Sequence, residues 1–220
     1  MLKKNDFIEL DYTGYNSNNV VFDTTKQDVA KKHDLKDGNY KPLVIAVGRR
    51  HILPGLDQKL IGLTIGKHEI NLSENEAFGP KDPKNLKLMP MKLFKKENIR
   101  PFVGLELNID DRLGVVRNVS GGRVIVDFNH PLAGQSIKYE VEIKSKVEDK
   151  QKQVEGVLKI LNIPFKSVSV KEKEAKVITL MKLPEPVTDM LNKELNELTG
   201  LKVIFEEEKK EEKKTEDKKV

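Results

Sequence analysis

The apolar residues of this chain fall into short segments, which limits the folds available to it. Even the longest apolar runs, such as Leu43–Val47, are far shorter than the roughly 20 residues that a membrane-spanning helix needs. Within the first 150 residues most of these segments alternate apolar and polar side chains, which favours strands over helices. Seven strands are predicted there: Asp6–Tyr12, Leu43–Val47, Lys67–Leu72, Glu106–Ile109, Leu113–Val119, Gly122–Asp127 and Ser136–Ile143.

Two short helices are predicted among these strands. One covers Leu56–Leu60, behind a Pro-Gly pair, and the other covers Val29–Leu35 inside a long loop. Ser120-Gly121-Gly122 predicts a tight hairpin between the fifth and sixth strands. The first two thirds of the chain are therefore expected to be mainly β-structure.

Composition excludes several classes of chemistry. The 220 residues contain no cysteine, which removes disulfides, thiolate nucleophiles and iron–sulfur clusters. The four histidines are scattered without metal-ligand spacing, so no metal and no other cofactor is predicted. Forty basic and thirty-five acidic residues give a net charge of +5, but the signs are interspersed, so a nucleic-acid partner is not favoured. The start, Met1–Leu10, has no apolar leader, and we expect a cytoplasmic protein without membrane association.

The C-terminal third has a different pattern. Residues 145–153 are polar and are predicted to form a linker or the start of a helix. Beyond them, apolar residues at helical spacing and two alternating segments predict the order α-β-β-α-β up to about residue 206. From Glu206 to Val220 thirteen of fifteen residues are charged, which predicts a disordered tail.

A unit of this size cannot cover its own apolar faces. Two helical stripes need a partner: Val154, Val157, Leu158 and Leu161, and Met190, Leu191, Leu195 and Leu198. The partner could be a second copy of the chain, the first 150 residues or a client protein. Self-association is the favoured prediction, because a symmetric pair covers two such faces at once.

Six short motifs, weak when taken singly, occur in an order that is specific. The chain resembles the FKBP family of peptidyl-prolyl cis-trans isomerases, in its SlyD-like branch with a second domain inserted in the flap. The resemblance covers roughly residues 1 to 147. It is carried by Asp11–Gly14, Val21–Thr25, Gly48–Asp57, Leu60–Gly66, Glu76–Gly79 and Asn129–Gln135.

The resemblance implies an α+β protein in which an FKBP-like antiparallel sheet wraps on a short helix. Residues 1–83 and 128–147 would form a discontinuous isomerase domain, and 84–127 an inserted all-β flap domain with chaperone activity. The resemblance does not extend to residues 152–206; their pattern predicts a small C-terminal α+β domain, followed by the charged tail, 207–220.

The resemblance also implies the residues of the isomerase pocket. The catalytic set would be Tyr12, Phe22, Asp23, Ile52, Leu53, Phe78 and Tyr139, with Leu43, Ile45, Leu56 and His130 as substrate-binding neighbours. In the family the backbone N–H of Leu53 bonds a substrate carbonyl, and Asp23 pairs with Tyr12 beside the twisting amide. Leu56 replaces a tryptophan found in many members and Phe78 a tyrosine, so macrolide binding is expected to weaken.

Residues 84–127 are unusually apolar for a flap. Methionine adapts its shape at low cost, so such a surface suits varied unfolded chains. Met89, Met91, Phe94 and Phe102 are the predicted client-binding residues there. The predicted partners are therefore unfolded or nascent polypeptides that contain Xaa-Pro bonds. The alternative function is a binding module that keeps the FKBP frame as a scaffold and has little isomerase activity.

Overall fold

The computed structural model describes residues 1–36, 38 and 40–208. It contains twelve strands and five α-helices within these ranges, with one short 3-10 turn at Pro83–Asn85. The strands are β1 (Phe7–Tyr15), β2 (Val21–Thr24), β3 (Leu43–Ala46), β4 (Gly66–Leu72), β5 (Leu86–Pro90), β6 (Glu106–Ile109), β7 (Arg112–Ser120), β8 (Arg123–Asp127), β9 (Ile137–Lys146), β10 (Phe165–Lys171), β11 (Glu174–Thr179) and β12 (Lys202–Glu207). The helices are α1 (Gln27–Lys32), α2 (Pro54–Leu60), α3 (Met91–Lys96), α4 (Lys150–Ile160) and α5 (Glu185–Thr199).

The first sheet has the order β2-β1-β9-β4, and β3 pairs with β1 beside this path. The β1–β3 pair is antiparallel and places Phe7 opposite Ala46 and Leu10 opposite Leu43. Helix α2 starts with a proline in its first turn, where the missing N–H costs nothing, and it buries Leu56 and Leu60. The α+β class predicted from the sequence agrees with this arrangement.

The described chain divides into two compact units that differ from the domains predicted from the sequence. The first unit contains Met1–Thr13, Asp23–Ile70 and the described residues from Glu140 onward. The second contains Gly14–Phe22 and Asn71–Tyr139. Residues 152–206, predicted as a domain of their own, thus belong to the first unit.

The second unit contains an antiparallel sheet of order β5-β8-β7-β6. Its core consists of Phe94, Val116, Val124 and Val126, and Phe94 comes from α3. The prediction that residues 84–127 are all-β is therefore wrong. Helix α3 was missed because a six-residue helix that buries one side chain leaves almost no periodic signal.

The C-terminal segment has the predicted order: α4, β10, β11, α5 and β12. Its sheet is mixed, since β10 pairs with β11 antiparallel and β11 with β12 parallel. The carboxylate of Asp149 caps α4, and Gly200, in the left-handed conformation, ends α5.

Helix α4 packs on the strands of the first sheet. Val154, Val157 and Leu158 share one core with Phe7 and Ala46. Gly156 allows the close approach, because a Cβ there would lie 2.7 Å from the carbonyl oxygen of Val44. The α4 stripe, which favoured self-association in the sequence analysis, is thus covered by the chain itself. In α5, Leu191 and Leu195 are buried as well, while Met190 is exposed.

Some element boundaries also differ from the predictions. Strands β2 and β5 were not predicted, and β9 continues to Lys146, beyond the predicted end at Ile143. Strand β12 extends to Glu207, so the predicted tail begins inside a strand. The rest of that tail, residues 209–220, lies outside the described residues.

Candidate isomerase site

A tyrosine–aspartate pair lies on two neighbouring strands of the first unit. The Tyr12 hydroxyl donates to the Asp23 carboxylate at 2.9 Å, and both residues are half-buried. Their strands are joined beside the pair by Thr25, whose hydroxyl accepts the Tyr12 N–H at 2.9 Å and donates to Asp11 at 2.7 Å. The carboxylate of Asp23 is therefore held in one orientation by a donor that is itself fixed.

The loop between β3 and α2, residues 47–53, carries the next two predicted site residues, and Asp57 holds its backbone. The Asp57 carboxylate is fully buried and accepts the N–H groups of Gly48 at 2.8 Å and Arg50 at 2.7 Å. Bonds from backbone N–H groups to a carboxylate are stronger than neutral ones. Asp57 belongs to the Gly48–Asp57 motif, but the sequence analysis gave it no role.

Ile52 and Leu53 follow these two anchors and are half-buried. Leu53 is the N-cap of α2, and its carbonyl accepts the first helical hydrogen bond, from Asp57. Its own N–H finds no acceptor anywhere in residues 1–36, 38 and 40–208. An N–H at a helix N-terminus without an internal partner is available to a ligand carbonyl.

The second unit brings three predicted aromatic residues together: Phe22 and Phe78 belong to two of the six motifs, and Tyr139 lies outside them. Phe22 meets Phe78 edge-to-face at 6.0 Å between ring centroids, and meets Tyr139 in the same way at 5.9 Å. Such T-shaped pairs are the favourable geometry for aromatic rings. His130 stacks on Phe78 at 4.5 Å with an angle of 5° between the planes, so the predicted neighbour also belongs to this cluster.

Gly14 makes the aromatic cluster possible. A Cβ on Gly14 would lie 2.8 Å from the Phe22 ring and 2.8 Å from the Tyr139 ring. Gly14 lies within β1 rather than in a turn, and its role is to leave space for two rings. Gly48 and Gly79 do adopt positive φ, as turn glycines do.

Other predicted residues divide between surface and core. Ile45 and Leu56 are fully buried, and Leu43 is half-buried. Phe94, predicted as a client-binding residue, is only 3% exposed and lies in the core of the second unit. Met89 and Met91 are half-buried beside that core, whereas Phe102 is 61% exposed.

The Asn129–Gln135 segment is fixed at both ends. The Gly134 N–H donates to the Gly79 carbonyl at 2.8 Å. Asp127 accepts from the Asn129 backbone at 3.0 Å and from the Asn129 side chain at 2.8 Å. Burial opposes ionisation of Asp127, but these bonds and the Lys81 ammonium outweigh it and lower the pKa of the carboxyl to about 2.

The described residues contain no group of three His, Asp or Glu side chains that could hold a metal ion. What they do contain is a held carboxylate, a free backbone N–H and a set of aromatic rings. Each of these groups can bind part of a substrate without forming a covalent bond, as in the class of enzymes that isomerise a bond by binding alone.

Comparison with known proteins agrees with this class. A model of the FKBP-type peptidyl-prolyl cis-trans isomerase family matches residues 1–95, and one described as "FKBP26, IF domain" matches residues 87–132. The chain is 31% identical over 134 residues to the FKBP-type 16 kDa peptidyl-prolyl cis-trans isomerase of Escherichia coli, covering 58% of this chain and 89% of that protein. The short-type peptidyl-prolyl cis-trans isomerase of Methanocaldococcus jannaschii is 24% identical over 147 residues, 66% of this chain and 93% of that one.

The isomerase SlyD of Aeromonas hydrophila is 32% identical over 140 residues, covering 62% of this chain and 60% of that protein. The chain therefore belongs to the FKBP-type peptidyl-prolyl cis-trans isomerase family. The enzyme class and the SlyD-like branch that the motifs indicated are confirmed.

Proposed function

We propose that the protein speeds the cis-trans isomerisation of Xaa-Pro bonds in unfolded or nascent polypeptides. The observation that carries the proposal is the aromatic cluster in which Phe22 meets both Phe78 and Tyr139. The half-buried rings of Phe22 and Phe78 suit a prolyl ring, which is apolar and rigid, while Tyr139, only 3% exposed, packs against Phe22. The family membership supports the same reaction.

The barrier to rotation about a prolyl amide is about 20 kcal/mol, because twisting the bond removes its resonance. No bond breaks, so the protein needs neither a nucleophile nor a metal. An apolar surface disfavours the charge-separated planar amide by excluding water. In our proposal the aromatic set of the second unit supplies that surface. Within the first unit, we propose that the Leu53 N–H binds a substrate carbonyl and that Tyr12 orients the Asp23 carboxylate.

Two substitutions test the assignment on a short Xaa-Pro peptide, with isomerisation measured by exchange NMR. Phe78→Ala removes one ring of the cluster and Asp23→Leu removes the held carboxylate. We expect each to lower kcat/KM by about tenfold or more, with circular dichroism unchanged. Ile65→Ala, at a site 57% exposed, is the control and should have no effect. Wild-type rates in both site variants would show that the residues are assigned wrongly.

We further propose that residues 84–127 capture unfolded clients. In the described structure Leu88, Leu93, Phe102, Val103 and Leu113 are each 45–64% exposed within this segment. Large apolar side chains at this density are costly to leave in water, and they suit a surface that accepts varied apolar segments. The edge strands β5 and β6 could add an extended peptide by strand pairing.

The client surface is tested by Phe102→Ser combined with Val103→Ser. We expect isomerisation of short peptides to be retained and refolding of a proline-limited protein to slow, because only a long chain uses a second site. Ile65→Ser is the matched control, since it removes an apolar side chain of similar exposure elsewhere. Equal refolding rates would refute the client surface. A wild-type protein that prevents aggregation but is inactive on peptides would favour the binding-module alternative.

Location and assembly stay predictions. No helix of the described chain is long and apolar enough to cross a membrane. The cytoplasm is the location that the amino-acid composition predicts. Self-association through residues 152–206 now depends on Leu180, Met181, Met190 and Ile204, which are exposed in that segment. Light scattering of the full chain decides it: a dimer supports the prediction and a monomer rejects it.

A further inference from the structure

Helix α5 of the C-terminal segment contacts the loop 47–53, which carries Ile52 and Leu53. We propose that Glu194 on α5 is a positioning residue for isomerisation, acting on this loop through His51. The inference rests on the proposed function of Ile52 and Leu53. It assigns an enzymatic task to a segment in which the sequence shows no functional motif.

His51 is nearly inaccessible, with 3% of its side chain exposed. Its Nδ1 accepts the N–H of Ala46, the last residue of β3, at 3.1 Å. A ring nitrogen that accepts carries no proton, so the proton of the neutral imidazole is on Nε2. This Nε2 lies 3.5 Å from Oε1 of Glu194 and has no hydrogen-bond partner among the described residues. The Nε2–H group is therefore buried with Glu194 as its nearest acceptor, and a small movement completes the bond.

A second contact joins the same two elements. The Arg49 guanidinium donates to Glu197 at 2.7 Å and to the Asn5 side chain at 2.8 Å. Glu194 and Glu197 lie three residues apart, on one face of α5. The loop is thus held at position 49 by α5 and at positions 48 and 50 by Asp57, and Glu194 of α5 lies beside position 51.

These contacts matter because Ile52 and Leu53 follow directly. The direction of the Leu53 N–H depends on the backbone of His51 and Ile52, which Asp57 does not bond. A displacement of about 1 Å at a binding group is enough to lower a rate substantially. Glu194 is therefore placed to set the geometry of a donor that it does not touch.

The pH dependence follows from the groups that surround His51. Burial lowers the pKa of His51; Glu194 on α5 and Asp57 on α2 oppose this effect, and Arg49 in the loop adds to it. His51 is therefore neutral at neutral pH. On protonation Nδ1 carries a hydrogen and can no longer accept from Ala46, so the loop loses this one of its anchors as the pH falls.

The test measures kcat/KM on an Xaa-Pro peptide by exchange NMR between pH 5 and pH 8. Glu194→Ala should lower kcat/KM at neutral pH by about three- to tenfold, whereas Glu194→Gln, which keeps an acceptor, should restore most of it. His51→Asn keeps an oxygen near the position of Nδ1 but does not reach Glu194, so it should lose as much as Glu194→Ala. The double variant should lose no more than either single one.

The pH profile separates positioning from simple stabilisation. The decline of wild-type activity toward acid pH should move to lower pH in Glu194→Ala, because the carboxylate that raises the pKa of His51 is gone, and should be weaker in His51→Asn. Asp189→Ala, an exposed acid on the same helix, is the control and should match the wild type. In the free protein, the Leu53 amide resonance should shift in Glu194→Ala but not in Asp189→Ala.

Two results would overturn the inference: wild-type kcat/KM in both Glu194→Ala and His51→Asn, or additive losses with an unmoved pH profile. A wild-type protein without activity on any Xaa-Pro peptide is a different result, because it would reject the proposed function. In that case the Leu53 resonance still tests the contact, and an unchanged resonance in Glu194→Ala would refute it.

Discussion

Asp127, at the end of β8, offers a measurement of what stabilises the segment next to His130. Its side chain is 3% exposed and meets Lys81 and Arg117, each at 3.2 Å, besides Asn129. A decrease of the carboxyl pKa from 3.8 to about 2 means that the ionised form stabilises the folded state. At neutral pH this amounts to roughly 2 kcal/mol, since each pKa unit corresponds to about 1.4 kcal/mol.

The sign of the pH dependence follows from the lowered pKa. The stabilisation is complete well above pH 3.8, the value of the unperturbed group, and is lost progressively as the pH falls from there through about 2. Asp127→Asn removes the charge while keeping an oxygen for Asn129. We therefore expect this variant to be less stable than the wild type by roughly 2 kcal/mol at neutral pH and by about half as much at pH 3.

Amide hydrogen exchange in β8 is the suitable assay, because a chain with two compact units need not unfold in one step. The free energy of opening is compared between wild type and variant at both pH values. Asp111→Asn, in the exposed turn between β6 and β7, is the control and should change little. If the loss in Asp127→Asn is absent at neutral pH, or does not shrink toward pH 3, the electrostatic explanation is refuted.

Three further substitutions have expected outcomes. Gly14→Ala should lower the free energy of unfolding by about 1–3 kcal/mol and slow peptide isomerisation, because the new Cβ displaces the Phe22 and Tyr139 rings. Thermal unfolding and exchange NMR measure the two effects, and an unchanged variant would show that the rings do not need this space. Asp57→Ala should cost about 2 kcal/mol or more and lower kcat/KM, because the backbone N–H groups of Gly48 and Arg50 lose the acceptor that they share. Wild-type Tm and rate would contradict the role of Asp57 in the loop. Gly156→Ala should lower the Tm because the new Cβ meets Val44, although alanine is about 1 kcal/mol more favourable than glycine within a helix. A higher Tm would show that α4 can move away from Val44.

The local pattern of apolar and polar residues predicted many of the strands and helices. The strand Glu106–Ile109 was predicted with its observed bounds, because its residues alternate and a turn follows. Strand β5 was missed because its apolar residues are largely exposed and it ends in a proline. The C-terminal order was predicted from helical stripes and alternation, but the surface that covers α4 was not, since no local pattern specifies a distant contact.

In the candidate site, too, local motifs predicted some residues, and contacts between distant parts of the chain could not be predicted. The motifs led to Tyr12 and Asp23, and the structure places them in a hydrogen bond. The space that Gly14 provides could not be predicted, because it depends on two rings from other strands. Glu194 had no signal at all: one acidic residue on an amphipathic helix is indistinguishable from its neighbours until the fold places it beside His51.

The packing of α4 leads to a prediction about a chain that ends at Lys150. Such a chain would leave Phe7 and Ala46 uncovered, and these residues now share a core with Val154, Val157 and Leu158. Exposing large apolar side chains costs about 25 cal/mol per Å², so the truncated chain should unfold at lower temperature and tend to aggregate. It should also lose more peptide activity than Glu194→Ala, because both the loop contacts and the support under β3 are gone. Differential scanning calorimetry and exchange NMR on the truncated chain check both expectations. A truncated chain with the Tm and kcat/KM of the full chain would show that residues 1–150 fold and work without the C-terminal segment.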